Sequence, residues 1–328
     1  MATVLITMRG LDTSEGGPLK ALFDAGHEVR VAPRERDATP ADAAAALRGC
    51  PAVIAGGEAY GAALFDAAPA LRHVARFGAG YDAVDVAAAT ARGVVVTNGA
   101  GANASAVADL TLGLILAVAR NIARYDREIR GGRWQSQIGA DVWRQTLGIV
   151  GLGQIGRAVA RRARGFEMRL LACEPAPDAA AVAELGVELA PIERVFAESD
   201  FVSLHLPSTA ATAGLVDARL LSLMKPGAFF INAARGALVD EDALYAALSA
   251  GRIAGAGLDV RRAEPPGDGR FAALDNVVMT PHTGAATPLS RVLSGRAAAE
   301  SVVRVLRGER PDGLINPEVW ESPARRGR

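Results

Sequence analysis

From its first residues the chain alternates short apolar runs with stretches of helical spacing. Residues 4–7 are apolar, 17–25 space apolar side chains three and four apart, Gly26 can close that helix, and 28–32 alternate. Helical spacing across 41–47, apolar runs at 52–55 and 73–77, and a short strand at 94–97 continue the rhythm. From 105 to about 130 the apolar pattern suits one long helix with Ser105 as its cap. A second, more regular alternation follows, with strands expected at 147–150, 169–173, 201–206, 228–232, 256–260 and 277–280. A helix over about 288–307 then leads into a basic, proline-containing tail at 321–328 that is expected to fray. The six later strands, separated by helical stretches, imply α/β architecture with a parallel, doubly wound sheet.

Composition narrows the function classes. A chain of 328 residues has room for two domains of about 150 each. Lys and Arg total 36 against 36 Asp and Glu, so no global charge draws the protein to nucleic acid or anionic membrane. The two cysteines, Cys50 and Cys173, lie far apart without metal-type spacing. That fits a reducing compartment and neither a disulfide framework nor a zinc site, so a cytoplasmic, metal-free protein is expected. The longest apolar stretch, 110–119, falls short of the roughly 18 residues a membrane span needs.

The strand at 147–150 runs directly into Gly151-Leu152-Gly153-Gln154-Ile155-Gly156, and helical spacing follows over 157–164. Strand, GxGxxG and helix in that order describe a dinucleotide cradle. The first glycine makes the tight turn, the second lets a pyrophosphate approach the backbone, and the third lets helix and strand pack closely. Glu174, eighteen residues beyond Gly156, ends the next strand, where an acid can accept hydrogen bonds from ribose hydroxyls. Residues 175–178 contain no base to receive a 2′-phosphate, so NAD is expected over NADP.

Three polar groups recur at the carboxyl ends of later strands, where open α/β sheets bind ligands: Arg235, Asp259 and His282. Glu264, followed by two prolines, is a candidate partner for His282. His27 and His73 sit beside N-terminal strands and read as ordinary structural residues. His205, before Leu206-Pro207, either lines the cofactor pocket through its backbone or caps its strand.

Taken together, Gly151–Gly156, Asn232-Ala233-Ala234-Arg235-Gly236, Gly257-Leu258-Asp259-Val260 with Glu264-Pro265, and Pro281-His282-Thr283-Gly284 resemble the D-isomer-specific 2-hydroxyacid dehydrogenases. Arg76-Phe77-Gly78-Ala79-Gly80-Tyr81-Asp82 and the segment from Arg92-Gly93-Val94 through Asn98-Gly99-Ala100-Gly101-Ala102-Asn103 extend the likeness over nearly the whole chain. The resemblance implies two α/β domains. A flavodoxin-like substrate domain comprises 1–98 plus 289–328, and an inserted Rossmann NAD-binding domain spans 99–288, with a dimerisation arm at about 99–146. It also implies a homodimer paired through 110–119, Trp134 and Trp143, and closure of the domains over the ligand.

The family's chemistry transfers hydride between NAD(H) and C2 of a small 2-hydroxy or 2-oxo acid. On that resemblance His282 is the acid/base, Arg235 binds the substrate carboxylate, and Glu264 orients the imidazole. Backbone groups of Gly78, Ala79 and Gly80 would hold the other carboxylate oxygen, while Asp259 and carbonyls near Ala233 would fix the carboxamide. Gln154, Ile155, Leu206, Pro207, Ala234 and Gly284 complete the expected cofactor contacts. A glyoxylate or hydroxypyruvate reductase fits this pattern. The acid at 264, where formate dehydrogenases carry an amide, argues against those enzymes. 3-Phosphoglycerate dehydrogenase is the runner-up: residues 54–59 offer an acid and no base for a phosphate, while Arg76 could supply one. A corepressor-like NADH sensor on the same fold is the alternative of another class.

Overall fold

The computed structural model describes residues 1–32, 39–99 and 101–327; Ala100, part of one family-like segment, and Arg328, the last residue of the tail, lie outside them. The chain divides into two compact units, Met1–Asn103 with Ala285–Arg328, and Ala104–Gly284. Of the described residues, 99, 101–103 and 285–288 fall with the first unit.

In the first unit β1 (Thr3–Ile6), β2 (Glu28–Val31), β3 (Ala52–Ala55), β4 (His73–Arg76) and β5 (Val95–Asn98) form a parallel sheet in the order β2-β1-β3-β4-β5. Successive strand residues face opposite sides, so Val4, Ile6, Ala52, Ile54 and Ala75 enter one core while Leu5, Val53, Ala55 and Val74 enter the other. The helix Pro288–Leu306 packs Ala298, Ala299, Val302 and Val303 into the first of these cores. Apolar burial on both faces is why the central strands read as continuous hydrophobic runs.

The second unit holds β6 (Thr146–Val150), β7 (Arg169–Cys173), β8 (Glu188–Leu189), β9 (Phe201–Leu204), β10 (Phe229–Asn232), β11 (Gly255–Leu258) and β12 (Val277–Met279), ordered β12-β11-β10-β9-β6-β7-β8. All pairings are parallel. Leu147, Ile149, Phe201 and Ile231 face one core; Val150, Val202, Leu204 and Phe230 face the other. The strand order reverses between β6 and β9, the point at which such sheets open a crevice at their carboxyl edge. Six strands were expected here; the seventh, β8, is a two-residue, exposed edge strand too short to leave a periodic signal.

The long helix expected from 105 to about 130 is two helices, Ala104–Ala119 and Ile122–Arg130, bent by 62°. Asn121 adopts left-handed geometry at φ 55°, which asparagine tolerates better than most residues. The carbonyl of Ala119 accepts instead from Ala140 N–H at 2.8 Å as the chain returns, so the first helix is closed by tertiary contact. Ser105 lies inside that helix and is not its cap. Leu112, Leu114, Ile115 and Val118, drawn from the expected pairing surface, are buried in their own unit, whereas Trp134 and Ile138 stand 87% and 100% exposed. Among the described residues no single helix is long and apolar enough to cross a membrane.

The tail also departs from expectation, because Arg326 anchors it. Its guanidinium donates to the carbonyls of Phe65, Ala68 and Leu71 and its N–H to Gly93 O, at 2.9–3.2 Å. A run of arginines looks solvated in sequence. Only the fold places three carbonyl ends beside one of them.

Candidate active site

The turn after β6 is built on two close approaches. Gly151 holds φ +95°, and a Cβ there would stand 2.6 Å from the carbonyl oxygen of His205; a Cβ on Gly156 would meet Gly151 O at 2.1 Å. Gly153 differs, since nothing lies within 4 Å of its Cβ position. It precedes the helix Gln154–Ala163 in extended geometry with no side chain capping the helix. The open N-terminal N–H groups and helix dipole of Gln154, Ile155 and their neighbours therefore face space an anion could fill. A dinucleotide pyrophosphate fits that cradle.

Glu174 borders it, with Oε2 accepting from Leu152 N–H at 2.8 Å and Oε1 from Ala176 N–H at 3.1 Å. A carboxylate has about four acceptor sites, so capacity for ribose hydroxyls remains. The sequence reading overlooked Arg157, whose guanidinium pairs with Asp178 at 2.9 Å beside this edge. On the other side of the switch point His205 is enclosed. Its Nε2 shares a hydrogen bond with Ser203 Oγ at 2.9 Å, and burial pushes its pKa down to about 3, so it stays neutral while its backbone abuts Gly151. Leu206 and Pro207 continue that strand end.

Arg235, Glu264 and His282 leave the carboxyl ends of β10, β11 and β12, three neighbouring strands. His282 Nδ1 lies 2.8 Å from Glu264 Oε2, with the side chains 43% and 24% exposed. The carboxylate fixes the ring's tautomer and leaves Nε2 as the atom that can exchange a proton. His282 sits at φ +54°, an uncommon geometry for a side-chain-bearing residue and a frequent one at reacting centres.

Buried Asp259 maintains that turn. Its Oδ1 accepts from Thr280 Oγ1 at 2.6 Å and Thr283 N–H at 2.8 Å, its Oδ2 from Gly284 N–H at 2.9 Å, and its carbonyl from His282 N–H at 2.7 Å. Asp259, expected beside the carboxamide, also holds the histidine turn, a task that becomes visible only once Thr280 and Thr283 are brought beside it. Asn232 acts similarly for Arg235, donating to the Arg235 carbonyl at 2.9 Å and accepting from Ala234 N–H at 3.0 Å. Ala233 is buried and Ala234 half-buried in that turn.

Gly78, Ala79 and Gly80 belong to the first unit, beyond the end of β4, where Asn98 Nδ2 donates to Ala79 O at 2.7 Å and Arg76 Nε to Gly80 O at 3.2 Å. Glu58, the acid that residues 54–59 offer in place of a base for phosphate, is buried. It accepts from Thr7 Oγ1, from Tyr60 OH at 2.9 Å and from Gly56 N–H at 3.3 Å. Among the described residues no group of three or more His, Cys, Asp or Glu could hold a metal ion.

Residues 112–284 match the model of the D-isomer specific 2-hydroxyacid dehydrogenase NAD binding domain. Glyoxylate reductase of Korarchaeum cryptofilum is 45% identical over 265 residues, covering 79% of this chain and 80% of that protein. D-3-phosphoglycerate dehydrogenase of Mycobacterium leprae is 45% identical over 262 residues, which span 77% of this chain and 50% of that protein. Among solved structures, the NADPH-dependent glyoxylate/hydroxypyruvate reductase of Sinorhizobium meliloti in complex with NADP and malonate superposes with a TM-score of 0.82 at 31% identity, covering 96% of each chain. The chain belongs to the D-isomer specific 2-hydroxyacid dehydrogenase family and is a nicotinamide-dependent oxidoreductase acting on a CH–OH group.

Proposed function

We propose that this enzyme interconverts a small 2-oxo acid and its D-2-hydroxy acid, with His282 as acid/base, Arg235 as carboxylate ligand and Glu264 as the group that orients the imidazole. The observation carrying the reading is the 2.8 Å Glu264–His282 contact beside the strand end that bears Arg235. Bound NAD supplies or accepts the hydride at C2. His282 Nε2 gives a proton to the developing alkoxide during reduction and removes it during oxidation. The planar fork of Arg235 suits a bidentate carboxylate contact and places positive charge near the C2 oxygen. Gly78, Ala79 and Gly80 are assigned the remaining carboxylate oxygen, Asp259 and the carbonyls near Ala233 the carboxamide.

Glyoxylate and hydroxypyruvate are the preferred substrates on this reading, supported by the names of the relatives above. 3-Phosphoglycerate dehydrogenase is the second reading, favoured by the equal 45% identity of the M. leprae protein. NAD is the proposed cofactor in preference to NADP, on the strength of Glu174 and of the Asp178 carboxylate that already occupies Arg157. We assign a second copy of the chain to the exposed Trp134, Ile138 and Trp143, and a cytoplasmic setting to the whole. NADH oxidation with glyoxylate, hydroxypyruvate, pyruvate and longer 2-oxo acids, beside NAD reduction with 3-phosphoglycerate, tests the assignment. Binding of NADH without turnover of any of these would replace it with the sensor reading.

A further inference from the structure

Behind the Glu264–His282 contact stands an ion pair that touches neither histidine nor cradle. Glu241 opens the helix Glu241–Ser249, whose N-cap is Asp240. Its two oxygens take Nε and Nη2 of Arg261 at 3.0 Å each, and one of them also takes Arg262 N–H at 2.7 Å. The pair is nearly enclosed, at 10% side-chain exposure for Arg261 and 13% for Glu241. The Arg261 guanidinium further lies 4.3 Å from the Phe271 ring centroid and reaches Asp268 at 3.2 Å. It is thus fixed from three sides.

What this pair holds is a peptide shared by the loops of two site residues. Arg261 N–H donates to Glu264 Oε1 at 3.2 Å, while the other oxygen of Glu264 holds His282. Gly236, next to Arg235, lies so close to the same segment that a Cβ there would stand 2.0 Å from the Arg261 carbonyl carbon. Any shift of residues 261–262 therefore moves the seat of Glu264 and the support of the Arg235 turn together. A bidentate Arg–carboxylate contact fixes direction as well as distance, which a lysine cannot reproduce. Misplacement of a catalytic group by about 1 Å can cost ~10²-fold in rate.

We propose that Glu241 and Arg261 are positioning residues, whose bidentate contact holds the 261–264 segment where Glu264 aligns His282 for proton transfer. The inference rests on His282 being the acid/base. Its test is the reduction of whichever 2-oxo acid is turned over fastest, by Glu241→Gln, which keeps shape, and Arg261→Lys, which keeps charge. Each should lower kcat about tenfold or more, leave NADH affinity by fluorescence titration within about twofold, and raise the solvent deuterium isotope effect on kcat. In a Glu264→Gln background the same substitutions should change kcat by less than about twofold, since residues acting through one partner are not additive.

Full additivity in that background overturns the proposal. So does a loss of kcat that comes with weakened NADH binding and an unchanged isotope effect. Should Glu241→Gln fail to fold, Arg261→Lys carries the measurement, because it leaves no buried charge unpaired. Normal turnover in His282→Ala would instead strike the reading of the site itself. A fall in His282→Ala together with additive Glu241→Gln would strike only this inference.

Discussion

On the five-stranded sheet, His73 is wholly enclosed and shares a hydrogen bond with Thr97 Oγ1 at 2.8 Å, which in turn meets Ser301 Oγ at 3.1 Å. Beyond the last strand of the seven-stranded sheet, His282 is 43% exposed and has Nδ1 engaged. The two sheets share strand chemistry and parallel winding, and each buries apolar side chains on both faces. They differ in where polar groups end up. In the first unit Thr7, Glu58 and Tyr60 bond one another inside the protein, and His73 bonds Thr97 through Nε2 while its buried Nδ1 has no partner. In the second, Asp259 and Asn232 spend their hydrogen bonds on backbone turns and thereby hold His282 and Arg235 at the open strand ends. A buried histidine bonded within its core contributes to stability; one gripped by a single nitrogen at a sheet edge can do chemistry.

The sharpest way to break this contrast is His282→Ala. Turnover should fall about 10²–10⁴-fold, with NADH affinity nearly intact by fluorescence titration. Retained turnover would remove the functional half of the comparison. Arg235→Lys should come next, lowering kcat/KM for the 2-oxo acid about 10²-fold through loss of the planar fork, and steady-state kinetics would read it.

For the enclosed histidines the expected effect is on acid stability. His73 and His205 have pKa values pushed by burial from 6.5 to about 3. The unfolded chain therefore takes up protons below about pH 6.5 that the folded chain refuses. The stability they contribute is complete above that pH and is lost as pH falls towards 3, by up to about 1.4 kcal/mol per pH unit for each histidine. His73→Gln should flatten the fall in urea midpoint between pH 6.5 and 5; an unchanged slope would show that burial does not keep His73 neutral. The smallest expected effect is Glu174→Gln, which should narrow the NAD over NADP preference by about tenfold, one charge's worth of discrimination. An unaltered ratio of kcat/KM values would assign Glu174 to its Leu152 and Ala176 contacts alone.

Much of the fold was legible because strands buried on both faces are uninterrupted apolar runs, as at 52–55 and 169–173, where expected and observed bounds coincide. The carboxyl-end positions of Arg235, Asp259 and His282 followed from the same reading, since each lies within three residues of the end of a strand. Other features left no local signal. The bend at Asn121 goes with Ala140 closing the helix carbonyl of Ala119 from twenty-one residues further along the chain. The burial of Glu58 is among them, because its carboxylate is bonded inside the fold by Tyr60 and by Thr7 from a distant segment of the chain. Arg261 and Glu241 lie twenty residues apart, and no periodicity links them.

Apolar periodicity and glycine placement, which act over one turn or one strand, pointed from the chain alone to a parallel, doubly wound α/β sheet, a glycine turn at 151–156 suited to a dinucleotide and a set of polar residues at strand ends. Tertiary structure alone decided which oxygen grips His282, that Asp259 serves the histidine turn, and that Arg261 lies beneath Glu264. Such choices depend on hydrogen-bond directions and on atoms from distant segments meeting within about 3 Å, a range that residue order does not encode.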